Sequence, residues 1–200
     1  FPIAVACDPA FNFVYEANIR YLHHLGEVTY FSPLADTSLP DAGFVYLPGG
    51  YPELYLAALS ANRQMLQSIR RYVESGGKLL AECGGMMYLC DEIRDKNGDV
   101  YPMAGVLHQS ATMENMKLRL GYRTLLYNET RLKGHEFHYS RLVEQQNPLP
   151  SCAVAYTAKG VETDTPLYHY KNVWAGYTHL YWADPVGNEW FTKFVIDGNT

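Results

Sequence analysis

The chain has 200 residues, 48% hydrophobic and 18% charged, with 16 glycines spread along its length; this suits one sizeable core and excludes low-complexity or collagen-like organisation. Sixteen Lys and Arg against 21 Asp and Glu leave a formal net charge of −5, and the richest basic group is Arg70-Arg71, so the clustered cations that nucleic-acid binding needs are missing. No apolar run approaches the roughly 18–20 residues that span a bilayer, and the N-terminus lacks the basic-then-apolar order of a signal peptide. The expectation is a soluble, cytoplasmic chain with neither a nucleic-acid nor a membrane partner.

Residues 1–6 (FPIAVA) are apolar throughout and close on Asp8-Pro9, the pattern of a strand buried on both faces. Asn12 is expected to cap a helix over residues 13–25, ended by Gly26, and residues 28–33 (VTYFSP) form the next strand. A third strand over residues 43–47 runs into Pro48-Gly49-Gly50-Tyr51-Pro52, and residues 53–75 read as one or two helices closed by Gly76-Gly77. Residues 78–82 (KLLAE) are a fourth strand, Cys83-Gly84-Gly85 a sharp turn, and residues 86–95 a helix. Strands alternating with helices at these spacings predict an α/β fold, an open, mostly parallel sheet with helices on both faces.

Beyond Tyr101 the helical period gives way to glycine-punctuated segments rich in Val, Tyr, Leu and Thr: residues 103–107, 117–128, 135–144, 152–158 and 165–182. These predict mainly antiparallel strands, followed by a terminal helix over residues 188–199 that buries Trp190, Phe191, Phe194 and Val195. No linker divides the chain, so residues 1–200 read as a single domain. Because Phe1 opens directly into a strand, that domain is expected to be cut from a longer protein.

Cys83 is the leading candidate for chemistry. It stands between an apolar strand and a helix, and Gly84 and Gly85 leave room for the tight turn that lifts a nucleophile above the carboxyl ends of the strands. The helix N-terminus beyond it is expected to lower the thiol pKa. The Gly49-Gly50 pair can aim backbone N–H groups into the same cleft as an oxyanion hole. Of seven histidines, His179 closes the last strand-like run and is placed to act as base, whereas His23 and His24 fall at a helix C-terminus. Strand alternation separates His135, Phe137 and Tyr139 from Glu136 and His138, which argues against shared metal ligation, so no metal site is expected. Cys7, Cys90 and Cys152 read as core residues.

Three stretches together are specific: Ala81-Glu82-Cys83-Gly84-Gly85-Met86-Met87-Tyr88-Leu89, Leu47-Pro48-Gly49-Gly50-Tyr51-Pro52-Glu53-Leu54 and Gly134-His135-Glu136-Phe137-His138-Tyr139-Ser140. With Phe31-Ser32-Pro33-Leu34-Ala35-Asp36 and Tyr177-Thr178-His179-Leu180 they resemble the cobyrinic acid a,c-diamide synthases in their C-terminal class I glutamine amidotransferase domain, over nearly the whole chain. The resemblance implies that Cys83 attacks the side-chain amide of L-glutamine, that His179 is base and then acid, and that Gly50 and Gly84, with Gly49 beside them, serve the oxyanion. It also implies that Tyr139 and Ser140 line the glutamine pocket. Many class I glutaminases carry a glutamate two residues after the histidine; here that residue is Tyr181, which leaves a Cys-His pair.

The family resembled begins with an ATP- and Mg-dependent synthetase half that activates carboxylates of cobyrinic acid, whereas this chain contains no G-x-x-x-x-G-K-[ST] loop. The resemblance therefore implies no cofactor within the chain and, as partners, an N-terminal ATP-binding synthetase domain of the same protein and cobyrinic acid bound through it. A homodimer is compatible with it, as is a nickel tetrapyrrole in place of cobyrinic acid. The rival readings are a catalytically silent docking module of such a synthetase and an unrelated cysteine hydrolase on the same sheet.

Overall fold

A computed structural model describes residues 1–198. In chain order the elements are β1 (Pro2–Ala6), α1 (Glu16–Leu25), β2 (Glu27–Phe31), β3 (Phe44–Leu47), α2 (Leu56–Ala61), α3 (Arg63–Glu74), β4 (Lys78–Glu82) and α4 (Gly84–Leu89). Then follow β5 (Glu92–Arg94), β6 (Val100–Pro102), β7 (Ser110–Thr112), β8 (Arg119–Tyr127), β9 (Thr130–His138) and β10 (Arg141–Leu142). The chain closes with β11 (Val154–Thr157), β12 (Glu162–Thr163), β13 (Leu167–Tyr170), β14 (Val173–Gly176), β15 (His179–Tyr181) and α5 (Pro185–Trp190), which runs into a π-helical turn over Phe191–Ile196.

The expected α/β architecture is present. A central six-stranded sheet has the order β13-β14-β4-β3-β1-β2, parallel except for β13 at its edge. Its apolar runs alternate between two cores: Ala4, Val45, Leu79 and Ala81 pack against α2, α3 and α4, while Ile3, Val5, Phe44 and Leu80 face the other way. On that second side three indoles, Trp174, Trp182 and Trp190, are fully buried. The antiparallel second half forms a five-stranded sheet, β12-β11-β8-β9-β15, and a small four-stranded one, β10-β7-β5-β6. No helix among the described residues is long and apolar enough to cross a membrane.

Four local expectations are corrected. Asn12 caps nothing: α1 starts at Glu16 after Tyr15, because residues 8–13 are tied to the glycine loop through Phe13 N–H to Gly49 O (3.1 Å) and Tyr51 N–H to Ala10 O (3.0 Å). The helix after Cys83 stops at Leu89, since Glu92–Arg94 pairs with β6 and β7, and tertiary pairing overrides the local helical pattern. Residues 103–107 are not a strand; the pairing lies just before them in β6. The last helix begins earlier, at Pro185, where the Asp184 carboxylate accepts from Gly187 N–H (2.7 Å), and the expected Asn199 end lies outside the described residues. Trp190, Phe191 and Val195 are buried as expected, with Phe194 only partly so.

Two further features hold the loops that reach the site. The Asp8 carboxylate accepts from Ala10 N–H (2.8 Å), Phe11 N–H (3.1 Å), Ser32 Oγ (2.9 Å) and Leu34 N–H (3.0 Å), joining the loops after β1 and β2. Asn62 separates α2 from α3; its amide donates to Pro33 O and Asp36 O, both at 2.8 Å, while its oxygen caps Met65 N–H.

Candidate active site

Cys83 occupies the turn between β4 and α4 with φ +49° and ψ −107°, a backbone conformation that side-chain-bearing residues rarely adopt. The turn can form because Gly84 and Gly85 follow it. A Cβ on Gly85 would fall 2.1 Å from Leu47 O, and one on Gly84 would fall 2.7 Å from Pro52 Cδ and 3.3 Å from Gly50 N. The glycine loop after β3 and the first turn of α4 therefore meet closely, which brings Gly50 N beside Gly84.

Cys83 and His179 line one cavity of about 200 Å³, together with Phe13, Gly50, Tyr51, His135 and Phe137. The thiol lies 3.6 Å from Phe137 O. The His179 imidazole stacks on that of His135 (centroids 4.7 Å apart, planes 13° apart), with the Phe13 ring set edge-on at 4.7 Å. Gly49 lies against the same imidazole: a Cβ there would be 2.2 Å from Cε1 and 2.9 Å from Nδ1. His135 is itself held by a hydrogen bond between its Nδ1 and the Tyr15 hydroxyl. His179 Nδ1 is buried without a hydrogen-bond partner among the described residues.

Burial pushes the Cys83 thiol well above the ordinary cysteine range, and the nearby Glu53 carboxyl adds to the rise; the Gly84 N–H works the other way and loses. The expected lowering by the helix N-terminus is present in the Gly84 N–H but outweighed, since α4 is a short, wholly buried six-residue helix and desolvation of the charged form acts more strongly. His179 moves in the complementary direction: burial first, then the neighbouring His135 and His138, bring it down to about 3. Both directions favour the uncharged forms, a neutral thiol beside a neutral imidazole. In a variant with the exposed Cys7 replaced by serine, alkylation of Cys83 by iodoacetamide is therefore expected to keep rising with pH past about 9. A plateau between pH 6 and 7 would overturn this.

The other predicted residues are placed as follows. Tyr139 is part-exposed and sets its ring against Phe137 (5.9 Å, 87°), and Ser140 is buried with its hydroxyl on Tyr177 OH (2.9 Å) and Met87 Sδ (3.2 Å). Neither lines the cavity; His135 and Phe137, the outward residues of the same motif, do. On the inward face, Glu136 and His138 meet (2.9 Å), His138 Nδ1 lies 2.8 Å from Ser140 O, and Arg123 and Thr165 donate to Glu136. Burial alone would raise Glu136, but the His138 and Thr165 hydrogen bonds and the charges of His138 and Arg123 take it down to about 2. Glu136, His138 and Thr165 line a second cavity, separate from that of Cys83. Cys90 is buried, Cys152 is half-buried, and Cys7 is exposed, contrary to expectation, because it lies one residue past β1.

Residues 2–186 match the family of CobB/CobQ-like glutamine amidotransferase domains. The chain is 40% identical over 185 residues to the hydrogenobyrinate a,c-diamide synthase of Pseudomonas aeruginosa, covering 90% of this chain and 41% of the relative. It is 39% identical over 204 residues to the cobyrinate a,c-diamide synthase of Clostridium acetobutylicum, covering 97% of this chain and 45% of that one. The chain thus spans less than half the length of these curated relatives. Among solved structures, PurLQS from Thermotoga maritima superposes with a TM-score of 0.62 at 18% identity, over 89% of this chain and 86% of that one. A glutamine amidotransferase crystal structure superposes with a TM-score of 0.59 at 15% identity, over 96% and 98%.

Proposed function

The chain belongs to the CobB/CobQ-like glutamine amidotransferase domain family, and from that premise we propose that it hydrolyses L-glutamine through Cys83 and His179 and supplies the ammonia for amidation of the a and c carboxylates of cobyrinic acid or its cobalt-free counterpart. The observation that carries the reading is the shared cavity: a buried thiol and a neutral imidazole, roofed by Gly50 and walled by Phe137, in a volume of about 200 Å³ that suits an amino-acid side chain.

In this mechanism the glutamine amide enters the cavity and its carbonyl carbon meets Cys83 Sγ. As the C–S bond forms, the thiol proton passes to His179, and the N–H groups of Gly50 and Gly84 hold the oxyanion. Collapse breaks the C–N bond, with His179 returning the proton to the departing ammonia and leaving a glutamyl thioester. Water, giving its proton to His179, then attacks the thioester; glutamate leaves and the thiol is restored. Because the free thiol is held protonated, reaction waits for a bound amide, which protects the cysteine from unproductive chemistry.

The described residues offer no group of three or more His, Cys, Asp or Glu that could hold a metal ion, and the sequence has no phosphate-cradling loop. No step in this mechanism runs through ATP or Mg²⁺. We assign them, and the tetrapyrrole, to a synthetase portion corresponding to the rest of the relatives' length, with residues 1–200 as one glutaminase domain and the cytoplasm as its place.

The test is trapping with 6-diazo-5-oxo-L-norleucine, read by intact mass and peptide mapping. One adduct, on Cys83 and blocked by L-glutamine, is expected. No adduct in the chain joined to its synthetase portion would sink the reading in favour of a silent docking module. Labelling that glutamine fails to block would favour a cysteine hydrolase of other specificity.

A further inference from the structure

The strand that carries His179 has a neighbour on one edge only. β15 pairs with β9 through His179↔His135, Leu180↔Gly134 and Tyr181↔Lys133, and among the described residues no strand lies on its other side. Yet three backbone groups on that open edge are bonded to side chains. Leu180 N–H donates to Glu82 Oε1 (3.1 Å), Leu180 O accepts from Asn18 Nδ2 (2.8 Å), and Trp182 N–H donates to Asn18 Oδ1 (3.2 Å). The Asn18 amide, buried on α1, therefore presents one donor and one acceptor to residues two apart, as the N–H and C=O of one residue in an adjacent parallel strand would.

Glu82 does the matching work on the same edge. It is the last residue of β4 and is covalently joined to Cys83, while its carboxyl is bonded to the residue after His179. Its second oxygen accepts from the Tyr46 hydroxyl at 2.7 Å, which fixes the carboxyl plane. Both Glu82 and Asn18 are almost wholly buried, at 2% and 0% exposure, where polar groups persist only when their hydrogen bonds are made. His179 has no partner for Nδ1 and Tyr181 supplies no carboxylate, so nothing holds the imidazole by hydrogen bonding directly.

We propose that Glu82 and Asn18 form a side-chain brace that replaces the missing neighbour strand of β15 and thereby sets His179 against Cys83. Both are positioning residues that act through the β15 backbone, and the inference rests on the glutaminase reading above. The brace also gives the buried carboxyl beside the nucleophile a role: one side chain spans the two elements whose separation governs proton transfer.

The test uses the intact protein with glutaminase kcat and KM, the rate of Cys83 labelling by 6-diazo-5-oxo-L-norleucine, and thermal melting. Glu82→Gln keeps an acceptor for Leu180 N–H and can donate to Tyr46, so its kcat is expected to stay within about threefold of the parent, whereas Glu82→Asp, which draws the carboxyl back, and Asn18→Asp, which sets a carboxylate against Leu180 O, are expected to lower kcat about thirtyfold or more with KM within about threefold. Rescue by glutamine but not by aspartate at position 82 separates reach from charge, and an unchanged KM separates positioning of His179 from general loosening of the cavity. Folded Glu82→Asp and Asn18→Asp variants with parental kcat would overturn the brace, as would a Glu82→Gln variant as impaired as Glu82→Asp. Failure of the parent protein itself to label at Cys83 would instead overturn the glutaminase reading.

Discussion

Replacing Cys83 with serine is expected to lower glutamine hydrolysis by about a thousandfold or more, the scale seen when a nucleophile that works as a unit with its base is removed. The base explains the size. In the same buried turn a serine hydroxyl is a far poorer acid than the thiol, and His179, with its pKa held down to about 3, is too weak a proton acceptor to make up the difference. In the protein joined to its synthetase portion, the same variant should keep amidation when ammonium chloride replaces glutamine, because only the nitrogen source has been lost. Full glutamine-dependent activity in Cys83→Ser would overturn the assignment of the nucleophile. The site also predicts a stability signature. At φ +49° and ψ −107° glycine is at ease and other residues are strained, so Cys83→Gly should be more stable than Cys83→Ala by about 1–2 kcal/mol while both are inactive. Chemical denaturation of the two variants checks this, and equal stability would show that the turn stores no strain.

Much of this site is legible in the sequence because its backbone demands are local. Residues 78–82 followed by Cys83-Gly84-Gly85 can only be a strand entering a tight turn, and Phe44–Leu47 before Gly49-Gly50 repeats that logic one strand over. The strand before His179 is legible, but His179 does not close it: β14 ends at Gly176 and His179 opens β15 in a different sheet, because the chain crosses there to pair with β9. What escapes is whatever depends on partners distant in the chain. Glu82 and Asn18 belong to a strand and a helix more than sixty residues apart, and they matter only through Leu180, so their spacing carries no signature; the sole hint is a carboxylate closing an otherwise buried strand. His135 and Phe137 are on the cavity side for the same reason that Glu136 and His138 are not, strand alternation, yet which face meets Cys83 is decided by how β9 packs. The thiol pKa is misread for a related cause: a helix N-terminus is visible in sequence, whereas complete burial of the six-residue α4 is a property of the assembled core.

Gly49→Ala is expected to lower kcat by about a hundredfold while leaving the KM for glutamine nearly unchanged, because the nearest atoms the new methyl group meets all belong to the base, and displacing it by about 1 Å suffices for such a loss. A Cβ at this position would lie 2.2 Å from His179 Cε1, so either the loop or the imidazole must give way. The loop is fastened by Phe13 N–H to Gly49 O and by Tyr51 N–H to Ala10 O, and β15 is fastened by β9. The imidazole is the softer element, although His135 and Phe13 flank it and leave it little choice but to tilt. The clash is with a side chain, so the cost in stability should stay near the 1–3 kcal/mol of an overpacked core. Gly50→Ala makes the control: its Cβ would fall 2.1 Å from Ala10 O, a backbone atom, and that variant should lose the fold of the loop along with activity. Melting curves and steady-state kinetics on the two variants separate the outcomes. A folded Gly49→Ala protein with the parental kcat would mean that the position of His179 does not govern the rate, and the imidazole would then have to be withdrawn as the base.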